Sequence, residues 1–164
     1  MRPDKDLYFM RMARLAATRT TCLRRAVGCV LTDELGRVLS TGYNGVPRGA
    51  PHCNELVIDL TPVVTAGFSI DTYPNACEGA SLSGGARHDL CGAVHAEQNA
   101  ILQCRDPDRI HSVYVTVAPC DPCLKLLINT GMKRLVVGAW WNDNEAQVKA
   151  RLPAGVVALL DERV

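Results

Sequence analysis

Two short segments carry side chains whose types and spacing suit metal chemistry. Segment 95–97 reads His-Ala-Glu, and segment 119–123 reads Pro-Cys-Asp-Pro-Cys. A hydrolytic zinc ion takes three protein ligands and keeps a fourth position open for water, and one histidine with two cysteines meets this requirement. Two cysteines three residues apart lie on one side of a helix start and can bind one ion. The spacing therefore predicts a zinc site formed by His95, Cys120 and Cys123.

Glu97 is interpreted as the proton-transfer group of this site. Its offset of two residues from His95 lets the carboxylate face the open coordination position without binding the ion. Zinc lowers the pKa of its bound water to about 7, so hydroxide becomes available at neutral pH. A carboxylate must then take the water's proton and pass it to the leaving group. Either segment alone is a weak signal, since a C-x-x-C pair also occurs in redox sites and structural zinc clips. Together, in this order, they form the signature of zinc-dependent nucleobase deaminases.

The hydrophobic pattern predicts the elements that position these segments. Strands alternate with helices in the second half of the chain, which favours parallel pairing with helices packed on the sheet. We therefore predict one domain over residues 1–164 with a three-layer α/β/α fold and a mixed sheet of about five strands. The predicted helices are 4–19, 93–104, 120–129 and 144–151, and the predicted strands are 26–31, 37–42, 113–117, 134–138 and 156–160.

Composition excludes several classes of function. The chain has 164 residues, with 18 Lys and Arg against 17 Asp and Glu and a net charge of +1, which argues against a polybasic surface for nucleic acid. No segment approaches the ~18 consecutive apolar residues of a membrane span. The charged N-terminus is not followed by a secretory signal, so we expect a cytoplasmic protein with reduced thiols.

Eight cysteines are many for a reduced compartment, where an excess of cysteine usually indicates metal binding. Cys29 and Cys104 lie in apolar runs and are interpreted as small core residues. Without these and the two zinc ligands, four cysteines remain, which is the ligand count of a closed structural zinc site. Such a site would tie the long Gly- and Ser-rich segment 43–92 to the core, although four unrelated thiols are an alternative. These four are Cys22, Cys53, Cys77 and Cys91.

The chain resembles the cytidine and deoxycytidylate deaminase superfamily, and most of all its deoxycytidylate branch. Segment 43–49 is similar to the Y-N-G-x-P-x-G loop of that branch, and segment 95–101 is similar to its H-A-E-x-N-A-I motif. Segments 114–116 and 154–156 also fit, so the resemblance covers nearly the whole chain. It implies a zinc-dependent enzyme that deaminates dCMP to dUMP, with hydroxide attacking C4 and Glu97 shuttling protons.

Alternative substrates remain open at this point. They are another cytosine nucleotide or nucleoside (5-substituted dCMP, dCTP or cytidine) or a base in a polynucleotide, which would have to be flipped out. The balanced charge and the loop at 43–49 argue against a polynucleotide. A non-catalytic zinc module is a further alternative, but a structural site does not need the carboxylate of Glu97.

The resemblance also implies substrate contacts. Asn44 would bind the sugar hydroxyl, although Asn-Gly is also a common turn pair. The Ala96 N–H and the carbonyl near Ala118 would bind the polar edge of the pyrimidine. Trp141 stands where relatives usually have a tyrosine and would cover the base or sugar by stacking. A wedge at a subunit interface is the alternative for Trp141.

Two further expectations come from the resemblance. Members of the branch are commonly homo-oligomers, often hexamers. Some carry a second zinc, with cysteines that match Cys22 and Cys53; the match for Cys77 and Cys91 is looser, and His52 or His88 could replace either one. The phosphate of the substrate needs a cation, and the sequence does not choose among five arginines near the motifs: Arg24, Arg25, Arg48, Arg87 and Arg105.

Overall fold

The computed structural model describes residues 2–55, 73, 75–81, 90–141 and 144–163. In these ranges the predicted elements are confirmed, with ends that differ by at most three residues. No helix of the described part is long and apolar enough to cross a membrane. The elements are α1 (Lys5–Ala17), β1 (Gly28–Thr32), β2 (Val38–Tyr43), α2 (Ala96–Gln103), β3 (Ser112–Val115), α3 (Asp121–Ile128), β4 (Arg134–Val137), α4 (Glu145–Arg151) and β5 (Val157–Leu160), with short 3-10 turns at Glu78–Ser81 and Pro107–Arg109.

The five strands form one mixed sheet, as the sequence predicted, and the structure gives their order as β2-β1-β3-β4-β5. β1 pairs with β2 and β3 in antiparallel orientation. The β1–β2 hairpin is closed by Asp33, whose carboxylate accepts a hydrogen bond from the Arg37 N–H at 2.8 Å, and by Gly36, whose φ of 79° suits a residue without a side chain. β3, β4 and β5 are parallel, because α3 and α4 return the chain to the same end of the sheet.

One face of the sheet is covered by α1. Side chains alternate along a strand, so Val30, Tyr114 and Val136 from three neighbouring strands point to the same face. They pack against Phe9 and Met10 of α1, and Met10 is fully buried. The carboxylate of Asp6 on α1 also accepts a hydrogen bond from the Tyr114 hydroxyl at 2.9 Å.

The opposite face is covered by the other three helices, which completes the predicted three layers. Leu31, Val113 and Leu135 point to this side and are fully buried. They belong to the same core as Leu127 of α3 and Val148 of α4. The two buried faces together hold the sheet rigid, which is the condition for placing side chains precisely at its ends.

α2 packs directly on β2. A Cβ atom on Gly42 would lie 2.2 Å from the carbonyl oxygen of Ala96 and 2.4 Å from the nitrogen of Ala100, so only glycine allows this approach. The Ser40 hydroxyl donates to the Ala100 carbonyl at 2.7 Å and fixes the same contact. The start of α2, which carries segment 95–97, is therefore held against the sheet by backbone contact.

Candidate metal centre and substrate pocket

The three predicted zinc ligands meet at the starts of two helices. His95 is the N-cap of α2, Cys120 is the N-cap of α3, and Cys123 lies in the first turn of α3. The Nδ1 atom of His95 lies 3.4 Å from each sulfur. Zinc with Zn–S of about 2.3 Å and Zn–N of about 2.0 Å in tetrahedral geometry requires N···S distances of about 3.5 Å. The donor types and their separations thus fit zinc.

Local sequence explains why these side chains point together. Pro122 in the first turn of α3 starts the helix without losing a hydrogen bond. The side chain of Gln98 accepts a hydrogen bond from the His95 N–H at 2.9 Å and fixes the start of α2. Asn99 donates to the Tyr43 carbonyl at 2.8 Å, which joins α2 to the end of β2.

The electrostatics of the centre favour a thiolate. The hydrogen bond between Cys123 and Cys120, with His95 as a further partner, lowers the pKa of Cys120 to about 4. The same contact with Cys120 raises the pKa of His95 above its ordinary value. The positive end of the α3 helix dipole adds to the stabilisation of the thiolate. Cys120 is therefore in the form that binds metal at neutral pH.

Glu97 is the one acidic side chain among the residues that line the described pocket over the metal ligands. Only 3% of its surface is exposed, and burial raises its pKa to about 7. A carboxyl with a pKa near the working pH accepts and releases protons with similar ease. Beneath it lies Cys29, a fully buried thiol whose pKa is raised by burial and by the charge of Glu97. Cys29 is thus a core residue, as predicted.

The pocket brings together the predicted substrate contacts, which are Asn44, Ala96, Ala118 and Trp141. Ala96 is the first residue of α2, where the N–H has no partner within the helix. Ala118 donates its N–H to the Ala139 carbonyl at 2.8 Å, which fixes the strand end that carries it. Apolar wall residues were not predicted, although their position beside the motifs is a signal that could have found them: Val27, Ala93 and Val117.

Asn44 has a structural role that the sequence did not reveal. Its side-chain oxygen accepts hydrogen bonds from the Val27 N–H at 2.8 Å and from the Thr20 hydroxyl at 2.9 Å. Its amide nitrogen donates to the Arg25 carbonyl at 2.7 Å. The amide group has a second proton, which is the donor relevant to a ligand. Asn44 therefore fixes the segment between α1 and β1 as well as lining the pocket.

The four remaining cysteines form a looser second group beside the pocket. Burial raises the pKa of Cys53 and of Cys91, and the neighbouring thiols of Cys77 and Cys22 add to both shifts. Cys22 and Cys91 also line the pocket. Among the described residues, only His95, Cys120 and Cys123 place all their ligand atoms within 4.8 Å of one another.

Backbone amides surround the sulfurs of this second group. The Arg24 N–H donates to the sulfur of Cys22 at 3.4 Å. The backbone N–H groups of Gly92 and Gly79 act against burial at Cys77, whose pKa is lowered. At Cys91, burial outweighs the Ala93 N–H and raises the pKa. Of the two histidines considered as alternatives, His52 is exposed and His88 lies outside the described residues.

Comparison with known protein families matches most of the chain to a single family. Residues 3–139 match the cytidine and deoxycytidylate deaminase zinc-binding region. A deoxycytidylate deaminase of Schizosaccharomyces pombe is 37% identical over 158 residues, which are 94% of this chain and 43% of that protein. A deoxycytidylate deaminase of Mycobacterium phage D29 is 40% identical over 136 residues, which are 82% of this chain and 94% of that protein. This chain thus spans less than half the length of the yeast relative.

Comparison with solved structures supports the fold. A dCMP deaminase from the cyanophage S-TIM5, crystallised with dCMP and dUMP, superposes with a TM-score of 0.66 and 23% sequence identity. The superposition covers 98% of this chain and 99% of that one. The three-layer fold is therefore shared with a protein of known structure.

Proposed function

Because this chain belongs to the cytidine and deoxycytidylate deaminase family, we propose that it catalyses the hydrolytic deamination of dCMP. Water adds to C4 of the cytosine ring, the C4–N bond breaks, and dUMP and ammonia are the products. The observation that carries the proposal is a buried carboxylate, Glu97, in one pocket with a His-Cys-Cys metal centre. Relatives named deoxycytidylate deaminase that match 94% and 82% of the chain support dCMP as the substrate.

The metal ligands and Glu97 have different roles in the proposed reaction. His95, Cys120 and Cys123 would hold the zinc ion, which would supply an activated water near neutral pH. Glu97 takes one proton from the water and delivers it to the ring nitrogen. It then takes the second proton from the hydroxyl group formed on C4 and passes it to the leaving amine as the C4–N bond breaks. The low exposure of Glu97 keeps bulk water from competing for these protons.

The pocket walls orient the base. The Ala96 N–H donates to the pyrimidine oxygen, and the Ala118 carbonyl accepts from the exocyclic amine. The Trp141 ring packs on the base or sugar from the open side, and its position is fixed by the Trp141 N–H, which donates to the Asn144 side chain at 3.0 Å. Asn44 offers its second amide proton to the sugar hydroxyl. Unpaired buried groups penalise a wrong substrate strongly, so these contacts discriminate between bases.

The reaction is tested with Glu97→Gln. This change keeps the shape of the side chain but removes its proton-transfer capacity, so we expect unchanged zinc content and a fall in turnover of at least about 100-fold. Loss of the cytosine absorbance band with dCMP, dCTP, deoxycytidine and cytidine measures turnover and substrate choice together. Glu34→Gln, an exposed glutamate in the β1–β2 turn, is the matched control. A Glu97→Gln variant with more than about a tenth of the parent rate contradicts the role assigned to Glu97.

We also propose a second, structural zinc bound by Cys22, Cys53, Cys77 and Cys91. Backbone N–H groups directed at the sulfurs support this, because they act against the burial that raises the pKa of Cys53 and Cys91. An ion would draw the loosely grouped sulfurs together and would join the segment before β1 to the segment before α2. Four thiolates close the coordination shell, so this ion would have no open position for chemistry.

Zinc stoichiometry tests the second site. We expect two zinc ions per metal-replete chain, one of which is lost in Cys53→Ser. Cys104→Ser is the matched control, since Cys104 packs against the core away from this group and should keep both ions. One zinc per replete wild-type chain would exclude the second site without affecting the catalytic one.

The arrangement in solution is proposed from the exposed apolar residues of two helices. Leu102 of α2 is 77% exposed and Leu126 of α3 is 46% exposed, which suits contact with another copy of the chain. We expect a homo-oligomer, up to a hexamer, built from one deaminase domain over residues 1–164 in the cytoplasm. Light scattering of the purified protein measures this, and a monomer at micromolar concentration would exclude it.

A further inference from the structure

The amide group of Asn44 is held in one orientation at the pocket wall. Its side-chain oxygen accepts from the Val27 N–H at 2.8 Å, and its nitrogen donates to the Arg25 carbonyl at 2.7 Å. A reversed amide would place donor against donor at Val27 and acceptor against acceptor at Arg25. Asn44 is only 8% exposed, and one of its amide protons remains for a ligand. A group bound there must therefore accept a hydrogen bond.

Thr20 binds this same amide from outside the pocket. Its hydroxyl oxygen lies 2.9 Å from the side-chain oxygen of Asn44 and 2.9 Å from the Asn44 carbonyl oxygen. The hydroxyl also accepts a hydrogen bond from the Cys22 N–H at 3.2 Å. That bond uses a lone pair of the hydroxyl, so its single proton is directed to the two oxygens of Asn44. One hydroxyl thus contacts both the side chain and the backbone of Asn44.

The position of Thr20 limits how it can act on a ligand. Thr20 is half-buried and does not line the pocket, so an effect of its hydroxyl on a ligand must pass through Asn44. The hydrogen bonds of the Asn44 amide with residues 25 and 27 use backbone groups, which nearly every residue type offers. Thr20 contributes a side chain, so a substitution there changes the support of Asn44 and leaves the other two bonds in place.

We propose that Thr20 is a positioning residue, which holds the Asn44 amide ready to donate to the sugar and thereby favours substrates with a free sugar hydroxyl. This inference rests on the proposed deamination of dCMP and extends it to the sugar. A 2′-deoxynucleoside 5′-phosphate has one free hydroxyl, at the 3′ carbon, and its oxygen accepts the remaining Asn44 proton. An amide that is fixed before binding loses less entropy when the substrate arrives, so Thr20 strengthens a contact that it does not itself make.

A purely structural role for Thr20 makes a different prediction. Through the Cys22 N–H, the hydroxyl also contacts a residue of the proposed second zinc site. If this were its whole function, loss of the hydroxyl would release zinc or would lower activity toward every substrate by the same factor. Control of the Asn44 amide instead predicts a loss that depends on whether the substrate has a 3′ hydroxyl.

The experiment compares Thr20→Val, Thr20→Ala and Thr20→Ser on dCMP and on 2′,3′-dideoxycytidine 5′-monophosphate, which lacks only the 3′ hydroxyl. For dCMP we expect kcat/KM to fall by about 3- to 10-fold in the valine and alanine variants, the range of one ordinary hydrogen bond. The fall should appear in KM with kcat nearly unchanged, because the sugar contact is the same in the ground and transition states. For the dideoxy analogue, every variant should stay within about twofold of the wild type. Thr20→Ser keeps the hydroxyl and should retain the wild-type KM for dCMP.

Thr18→Val is the matched control. The Thr18 hydroxyl also donates one hydrogen bond, to the Leu15 carbonyl at 2.7 Å, but at the exposed end of α1. This variant should keep wild-type kinetics with both substrates. Zinc per chain and the urea unfolding midpoint show whether each variant is folded and loaded with metal.

The outcomes separate this inference from the function on which it rests. If the wild type does not deaminate dCMP, the proposed function itself fails before any variant is compared. If it does, but uses the dideoxy analogue equally well, the sugar contact is absent and Thr20 has no such role. Equal losses with both substrates, a serine variant as weak as the valine variant, or zinc release or unfolding in both Thr20→Val and Thr20→Ala would assign the hydroxyl to structure and overturn the inference.

Discussion

Replacing Gly42 by alanine should disturb the active centre from the far side of α2. The new Cβ atom would lie 2.2 Å from the Ala96 carbonyl oxygen and 2.4 Å from the Ala100 nitrogen, both of which are backbone atoms of α2. Ordinary contacts between such atoms are about 3.5 Å, so α2 must move by roughly 1 Å. No side-chain rotation relieves the clash, because the neighbouring atoms belong to a regular helix.

Two magnitudes follow from this shift. Overpacking typically costs about 1–3 kcal/mol, and a clash with helix backbone belongs at the upper end, so we expect about 3 kcal/mol of lost stability. At a urea m value of about 2 kcal/mol/M, the unfolding midpoint falls by about 1.5 M. A displacement of about 1 Å at catalytic groups costs up to about 100-fold in rate, and α2 carries Glu97.

Urea unfolding followed by circular dichroism at saturating zinc measures the first magnitude, and dCMP turnover in the absence of urea measures the second. Gly92→Ala is the matched control, because a Cβ there has open space within 4 Å. The reasoning is refuted if Gly42→Ala unfolds within about 0.3 M urea of the wild type, which would mean that β2 and α2 do not touch as described.

Two further predictions concern stability alone. Asp161 is bound by Arg163, and this hydrogen bond lowers the Asp161 pKa, so its contribution is present above about pH 4 and is lost as the pH falls through the lower folded value. Asp161→Asn should therefore lower the melting temperature at pH 7. It should have no effect at a pH low enough to protonate Asp161 in the folded and the unfolded protein alike. An equal loss of melting temperature at pH 7 and at that low pH would contradict the ion pair. Ser40→Ala removes the hydrogen bond to the Ala100 carbonyl and should cost about 1–2 kcal/mol in urea unfolding, whereas a neutral effect would show that water replaces the hydroxyl.

The ligands of the candidate metal centre could be predicted from the sequence because they lie in short motifs. His95, Cys120 and Cys123 each sit at a helix start, and residue type with short spacing is enough to predict both the ligands and the helices. The strand pattern likewise predicted parallel pairing, since helical segments separate the last three strands.

Contacts that involve backbone atoms could not be predicted from the sequence in the same way. Asn44 binds the Arg25 carbonyl and the Val27 N–H, and every residue type except proline offers both of these groups. The close contact at Gly42 could not be predicted either, because the sequence does not show that α2 packs directly against this residue. The sequence also did not show which arginines reach the pocket; among the four candidates that the structure describes, Arg24 and Arg25 line it.

The hydrogen bond from Ser40 to Ala100 spans 60 residues of chain, whereas the contacts of His95 with Cys120 and Cys123 span 25 and 28. Loop closure becomes slower and costs more entropy as the closed segment lengthens. The difference between 60 and 25 residues corresponds to about 0.8 kcal/mol of closure entropy. The metal ligands therefore meet at a lower entropic cost than the joint between α2 and β2, and packing of α2 on the sheet must offset the larger cost.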